Sequence, residues 1–381
     1  MAGAVQGVAV ITGAASGFGL ELCRLAAAAG MHVVMADVQA QALAQAEEEI
    51  AGMGVQTLAR VTDVAQGAQV QALADATQAR FGAPTLLFNN AGVSSAGLVW
   101  ENTEADWQWV CGVNLMGVAN GLRSFTPLML AAARQDPAWR GHIVNTASLA
   151  GWQAAPTVGL YNATKFAMVG LTESLYHDLA LVTDQVHASV LCPALVPTGI
   201  VHSERNRQDG ATQPLSASQK VGRGLVEIGM AQSRVTARVV AQQVLDAVAH
   251  NQFYIFTHPE QMGPVHTRFE DVRLGRAPTD PFAALPMVSA HLRSQLWRAV
   301  PETAGAAVRP PAAQGRCCAP LRAVHSSVST SNKTATSARA SNTKNGVLGE
   351  ATFFSSEASL CGAPAKKRGS KIISSMSRRL R

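Results

Sequence analysis

Short apolar runs and stretches of helical periodicity alternate along the first two thirds of the chain. Val8–Thr12, His32–Ala36, Thr57–Val61 and Leu86–Asn89 have the length and residue types of strands, and the first two are apolar enough to be buried on both faces. An alanine-rich stretch ending near Gly30, then Gln39–Ala51 and Val70–Phe81, read as the helices between them. This alternation predicts an α/β fold on a doubly wound parallel sheet. Further on, Ile143–Thr146, His187–Cys192 and Phe253–Thr257 are expected strands, with helices over Tyr161–Val182 and Thr236–His250. Phe166, Val169, Leu171, Leu175 and Leu179 recur at threes and fours along the first of these helices, with no proline inside it. By contrast, Leu195–Arg234 has weak periodicity and many Ser, Gln, Arg and Gly residues, which suits a mobile lid over a substrate.

Composition divides the chain into a core of residues 1–260 containing a lid near 195–235, an extension over 261–308 and a tail over 309–381. Pro264, Pro278, Pro281 and Pro286 break the extension into short helices. The tail is rich in Ser, Thr, Ala and Lys without periodicity and reads as disordered. Residues 1–310 hold 19 Lys and Arg against 23 Asp and Glu, whereas residues 311–381 hold 12 against 2, so the formal net charge of +6 comes from the tail alone. A basic total therefore does not mark the folded part as a nucleic-acid binder; only the tail hints at one. Cys23, Cys111, Cys192, Cys317, Cys318 and Cys361 show neither zinc-ligand nor stapled-domain spacing, and no metal site is expected. No apolar run approaches the ~18 residues of a membrane span. With no signal-peptide pattern at the start, the expectation is a soluble, cytoplasmic protein.

The candidate chemistry lies where strands end. Val8–Thr12 runs into Thr12-Gly13-Ala14-Ala15-Ser16-Gly17-Phe18-Gly19 and then a helix, and a helix N-terminus approached by glycines can cradle a pyrophosphate. Asp37 ends the second strand, where a carboxylate can accept both hydroxyls of an adenosine ribose and repel a 2′-phosphate, which favours NAD over NADP. The same carboxylate also fits a cap on the helix that begins near Gln39. Asp63-Val64 and Asn89-Asn90-Ala91-Gly92 follow the third and fourth strands, the former suited to reading an adenine or simply to making a turn. Tyr161 and Lys165 stand one helical turn apart, so an ammonium can act on a phenol whose ordinary pKa is ~10. A packing tyrosine beside a solvated lysine would show the same spacing. Ser148 closes another strand.

Taken in order, the glycine turn, Asp37, Asp63, Asn89-Asn90-Ala91-Gly92, Asn114, Ser148 and Tyr161-x-x-x-Lys165 resemble the short-chain dehydrogenase/reductase family over roughly residues 5–260. The resemblance implies a Rossmann-type NAD(P)-dependent oxidoreductase acting on an alcohol or carbonyl substrate, assembled as a homodimer or homotetramer. It implies Tyr161 as general acid or base, Ser148 on the substrate oxygen, Lys165 on the phenol and the nicotinamide ribose, and Asn114 on a proton-relay water. Cofactor contacts are implied for Gly13, Ser16, Gly17, Phe18, Gly19, Asp37, Asp63, Val64, Asn90, Ala91, Gly92, Tyr161, Lys165, Pro193, Val196 and Thr198. One departure is Pro193-Ala194, where the family has Pro-Gly.

Overall fold

The computed structural model describes residues 7–207 and 214–299; the expected tail lies outside them. Seven parallel strands form one sheet: β1 Val8–Thr12, β2 His32–Asp37, β3 Thr57–Val61, β4 Leu86–Asn89, β5 Gly141–Thr146, β6 Val186–Cys192 and β7 Tyr254–Phe256. Their spatial order is β3-β2-β1-β4-β5-β6-β7. In β1, side chains alternate between two cores, as the two-residue period requires. Ala9 and Ile11 join the core beneath α1 (Gly17–Ala28), α2 (Ala40–Ala51) and, much later in the sequence, the helix Ala237–Ala249. Val8 and Val10 join the opposite core, beneath α3 (Gly67–Phe81) and two helices from the second half of the fold. Burial on both sides explains the unbroken apolar runs.

The chain after β4 forms α4 (Glu104–Cys111), a π-helical bulge over Gly112–Met116 and α5 (Gly117–Gln135). Thr103 and Asp106 start α4 with a reciprocal cap. After β5, α6 (Gly159–Val182) crosses back to β6. Two of the second core's anchors, Phe125 on α5 and Leu179 on α6, close it from these helices.

The expected lid is more regular than its sequence suggests. Residues 199–206 form tight 3₁₀ turns, and α7 (Ala217–Gln232) is a full helix. Ser216 Oγ accepts from Gln219 N while Gln219 Oε1 accepts from Ser216 N, which fixes its start. Val221, Leu225 and Ile228 recur at helical spacing along it but stay only half-buried, and its fully buried residues are Ser218 and Gly222. α8 (Ala237–Ala249), β7, α9 (Gly263–Arg273) and α10 (Pro286–Ala299) complete the described chain. Pro264 and Pro286 sit at helix starts and Pro278 and Pro281 between helices, as expected of residues that cannot donate within a helix. Among the described residues, no helix is long and apolar enough to cross a membrane.

Strand order reverses between β1 and β4, because β2 and β3 lie to one side of β1 and β4 to β7 to the other. The carboxyl ends of β1 and β4 therefore bound a crevice, the place where ligands bind such sheets.

Candidate active site

A cleft of about 450 Å³ opens at that crevice, within the size range of small-molecule sites. Thr12 organises its floor. Its Oγ1 accepts from the backbone N–H of Asn90 at 3.0 Å and Ala91 at 3.1 Å, and Asn90 Nδ2 donates to Thr12 O at 2.9 Å. The ends of β1 and β4 are thereby stitched together, and the Asn90 side chain serves the scaffold.

The glycines follow from this closeness. Gly13 has φ +67, and a Cβ there would lie 2.9 Å from Ala91 Cα. At Gly19 a Cβ would come within 2.0 Å of Gly13 O, so a side chain is excluded where the helix packs on the turn. Ser16 at the start of α1 makes no side-chain cap, which leaves the first N–H groups of the helix facing the cleft. Asp37 Oδ2 accepts from Ala15 N and Oδ1 from Gln39 N, each at 3.0 Å. The carboxylate thus braces the glycine turn and still carries a second lone pair on each oxygen. Gln39, not Asp37, occupies the capping position before α2, and its side chain makes no cap. These features fit a dinucleotide: a cradle a methyl would fill, uncapped N–H groups and a carboxylate with acceptor capacity to spare.

Most of the expected contact residues line this one cleft: Gly13, Ser16, Gly17, Phe18, Asp37, Asp63, Val64, Asn90, Ala91, Gly92, Tyr161, Lys165, Pro193 and Thr198. Asp63 accepts from Ala65 N at 3.0 Å in a local turn. Two others are placed differently. Val196 is turned into the apolar core at 2% exposure, and Gly19 lies behind the turn it permits. Asn114 stands behind the wall, and Ser148 is reached through its hydrogen bond to the cleft-lining Tyr161. Asn114, in the π-helical bulge, accepts from Val93 N at 2.8 Å and donates to Val93 O at 2.9 Å and Thr164 Oγ1 at 3.1 Å. Both amide hydrogens are thus used to hold the chain leaving β4, and one acceptor site on Oδ1 remains for the expected relay water.

Tyr161 and Lys165 lie in the first two turns of α6, with the ammonium 5.5 Å from the phenol ring centre. Lys165 Nζ donates to Thr146 O at 2.8 Å. Burial pushes the Tyr161 hydroxyl up to about 12, the Ser148 hydrogen bond acting the other way. Burial likewise pushes Lys165 down to about 8. Loss of solvation therefore outweighs the attraction expected between cation and phenol, and the hydroxyl is protonated at neutral pH. Ser148 Oγ accepts from Ala150 N at 3.1 Å, and its single hydrogen serves either Pro193 O, at 3.3 Å, or the Tyr161 oxygen. Pro193 O also accepts from Leu149 N at 2.8 Å, so Ala194 leaves that carbonyl in place. Burial raises the neighbouring Cys192 thiol to about 12, too high for a nucleophile.

Periodicity gave no hint of the cleft's roof. Ser203 Oγ accepts from Ser94 N at 2.9 Å. Arg207 pairs with Asp106 at 2.5 Å and lies 4.9 Å over the Trp109 ring. Glu101 accepts from the hydroxyls of Ser216 and Ser218. Of these residues Ser203 and Trp109 line the cleft itself, beside Ile200 and Arg205, and the others latch the segments that carry them; Arg205 donates to Gly199 O at 2.8 Å. Among the described residues, no group of three or more His, Cys, Asp or Glu could hold a metal ion.

Residues 7–209 match the family model described as short chain dehydrogenase. The chain belongs to the short-chain dehydrogenase/reductase family, and it is an NAD(P)-dependent oxidoreductase of small organic substrates. A CLA biosynthesis dehydrogenase/reductase of Lactiplantibacillus plantarum is 31% identical over 275 residues, 71% of this chain and 94% of that protein. A C alpha-dehydrogenase of Sphingobium sp. is 33% identical over 287 residues, 74% of this chain and 91% of that protein. Among solved structures, a Burkholderia phymatum short chain dehydrogenase/reductase in complex with NAD is 45% identical at a TM-score of 0.70, over 74% of this chain and 99% of that one. A metagenomic short-chain oxidoreductase in complex with NADP is 26% identical at a TM-score of 0.50, over 66% of this chain and 95% of that one.

Proposed function

We propose that the protein interconverts a secondary alcohol and its ketone with NAD, using Tyr161 as the general acid or base. The observation that carries this reading is the meeting of Tyr161 and Lys165 with the glycine cradle and Asp37 in one cleft. When bound, the dinucleotide supplies or accepts the hydride. As a ketone carbon gains hydride, its oxygen takes the Tyr161 proton; in the reverse direction the hydroxyl proton returns to that oxygen. Ser148 steadies the substrate oxygen by turning its hydrogen from Pro193 O. Lys165, buried and held by Thr146 O, keeps positive charge beside the phenol and the nicotinamide ribose.

Support for NAD over NADP comes from Asp37. Its carboxylate lines the cleft with Val38, not an arginine, following it, so a 2′-phosphate there would meet a like charge. Val93, Trp109, Val113 and Ile200 give the cleft an apolar wall, which supports a substrate with an apolar frame. Purified protein offered NAD or NADP with a panel of secondary alcohols and ketones tests the reading. The expected result is turnover with NAD favoured about tenfold or more in kcat/KM; NADP preference overturns the cofactor assignment, and no turnover overturns the reaction. Tyr176, Leu181 and Val182, exposed along α6, support self-association. Light scattering should give a dimer or tetramer mass, and a monomer mass would contradict it.

A further inference from the structure

Thr157, four residues before Tyr161, is a β-branched residue at φ +66. That left-handed region is ordinarily taken by glycine or asparagine. Thr157 is 4% exposed, and its Oγ1 has no hydrogen-bond partner. A strained backbone and an unpaired buried hydroxyl at one residue persist only where the surroundings over-determine it.

Those surroundings come from two other segments. Thr157 O accepts from Gly97 N at 2.8 Å, and Gly97, at φ +114, forms a bridge to Val158. From α7, Gly222 approaches so closely that a Cβ on it would lie 2.9 Å from Thr157 O and 3.0 Å from Thr157 Oγ1. Val158, at the capping position before α6, makes no side-chain cap. Without a cap, the angle at which the first turn of α6 leaves the chain is set by this junction rather than by its own side chains. Tyr161 stands on that turn.

We propose that Thr157 is a positioning residue: its strained backbone, clamped between Gly97 and Gly222, fixes the first turn of α6 so that the Tyr161 hydroxyl meets the substrate oxygen, and it ties that placement to the seating of α7. The inference rests on the proposed role of Tyr161.

The experiment compares wild type, Thr157→Gly, Thr157→Asn, Gly222→Ala and the double variant Thr157→Gly/Gly222→Ala, reading kcat, KM, NAD affinity and Tm. Glycine removes the strain and the side chain together, so Thr157→Gly is expected to keep or raise Tm, leave NAD affinity within about twofold and lower kcat about tenfold. Asparagine adopts the left-handed region and should keep kcat within about threefold of wild type. Gly222→Ala should lower kcat to a similar degree, and the double variant should lose no more than the worse single one, because both disturb one junction. A Thr157→Gly enzyme with wild-type kcat, or one whose lost kcat follows lost Tm and is not rescued by asparagine, overturns the proposal. If wild type turns over no secondary alcohol or ketone, the reading of Tyr161 has failed instead.

Discussion

The floor and the roof of the cleft are built in different ways. On the floor, every contact has the main chain on one side: the Thr12 hydroxyl and the Asn90 amide tie the backbones of β1 and β4 together, and Gly13 and Gly19 leave no room for a methyl group. The roof is latched by pairs of side chains far apart in sequence, 101 positions separating Asp106 from Arg207 and 117 separating Glu101 from Ser218. A floor fixed by main-chain geometry holds a part common to many substrates, whereas exchangeable side-chain pairs let the roof suit one of them. Backbone constraint fits cofactor binding and side-chain latching fits specificity.

Variants can break or sharpen that contrast. The largest effect should come from Gly19→Ala, because a Cβ 2.0 Å from Gly13 O must push α1 off the turn. Calorimetry should show NAD affinity reduced about 100-fold or more, with Tm lowered by overpacking of about 1–3 kcal/mol. Next, Asp37→Ser with Val38→Arg removes the carboxylate and supplies a guanidinium. The ratio of kcat/KM for NAD to that for NADP should fall tens-fold, and an unchanged ratio would detach Asp37 from cofactor choice.

Smaller effects are expected from the roof. Arg207→Gln leaves Asp106 partly buried without its cation and should raise substrate KM about fivefold while changing NAD affinity less than twofold, as initial-rate kinetics would show. An equal loss in both would mean that roof and floor are not separable. The smallest is a pH effect on the same pair. Burial opposes ionisation of Asp106, but its bonds from Arg207 and Thr103 hold the carboxyl below the usual range. A lowered carboxylate pKa stabilises the fold fully above the unfolded value of ~4, and that stability is lost as pH falls through the folded one. Asp106→Asn should therefore flatten the acid limb of a Tm profile below about pH 4.

The same contrast decides what could be read from the sequence. Strands β1 and β2, the glycine turn and Asp37 were legible because doubly buried strands require unbroken apolar runs and close approach requires glycine. Placing Tyr161 and Lys165 on one face needed only the helical repeat. The roof left a fainter trace: the apolar positions of α7, Val221, Leu225 and Ile228, lie among Gly, Arg and Gln, and contacts over a hundred residues apart such as Asp106–Arg207 and Glu101–Ser218 have no period. Two signals were present, the Thr103-x-x-Asp106 and Ser216-x-x-Gln219 caps, and each marks a helix start that apolar periodicity does not. The raised phenol of Tyr161 was not legible either. Spacing to Lys165 says that charge is near, but burial decides which effect prevails, and burial depends on the sheet edge and the roof together.

Single-turnover transfer between dinucleotide and substrate in Tyr161→Phe, measured beside calorimetric NAD binding, tests the central claim most directly. The account predicts transfer slowed about 1,000-fold with NAD affinity within twofold of wild type. Transfer within tenfold of wild type by a variant that binds NAD normally would contradict it.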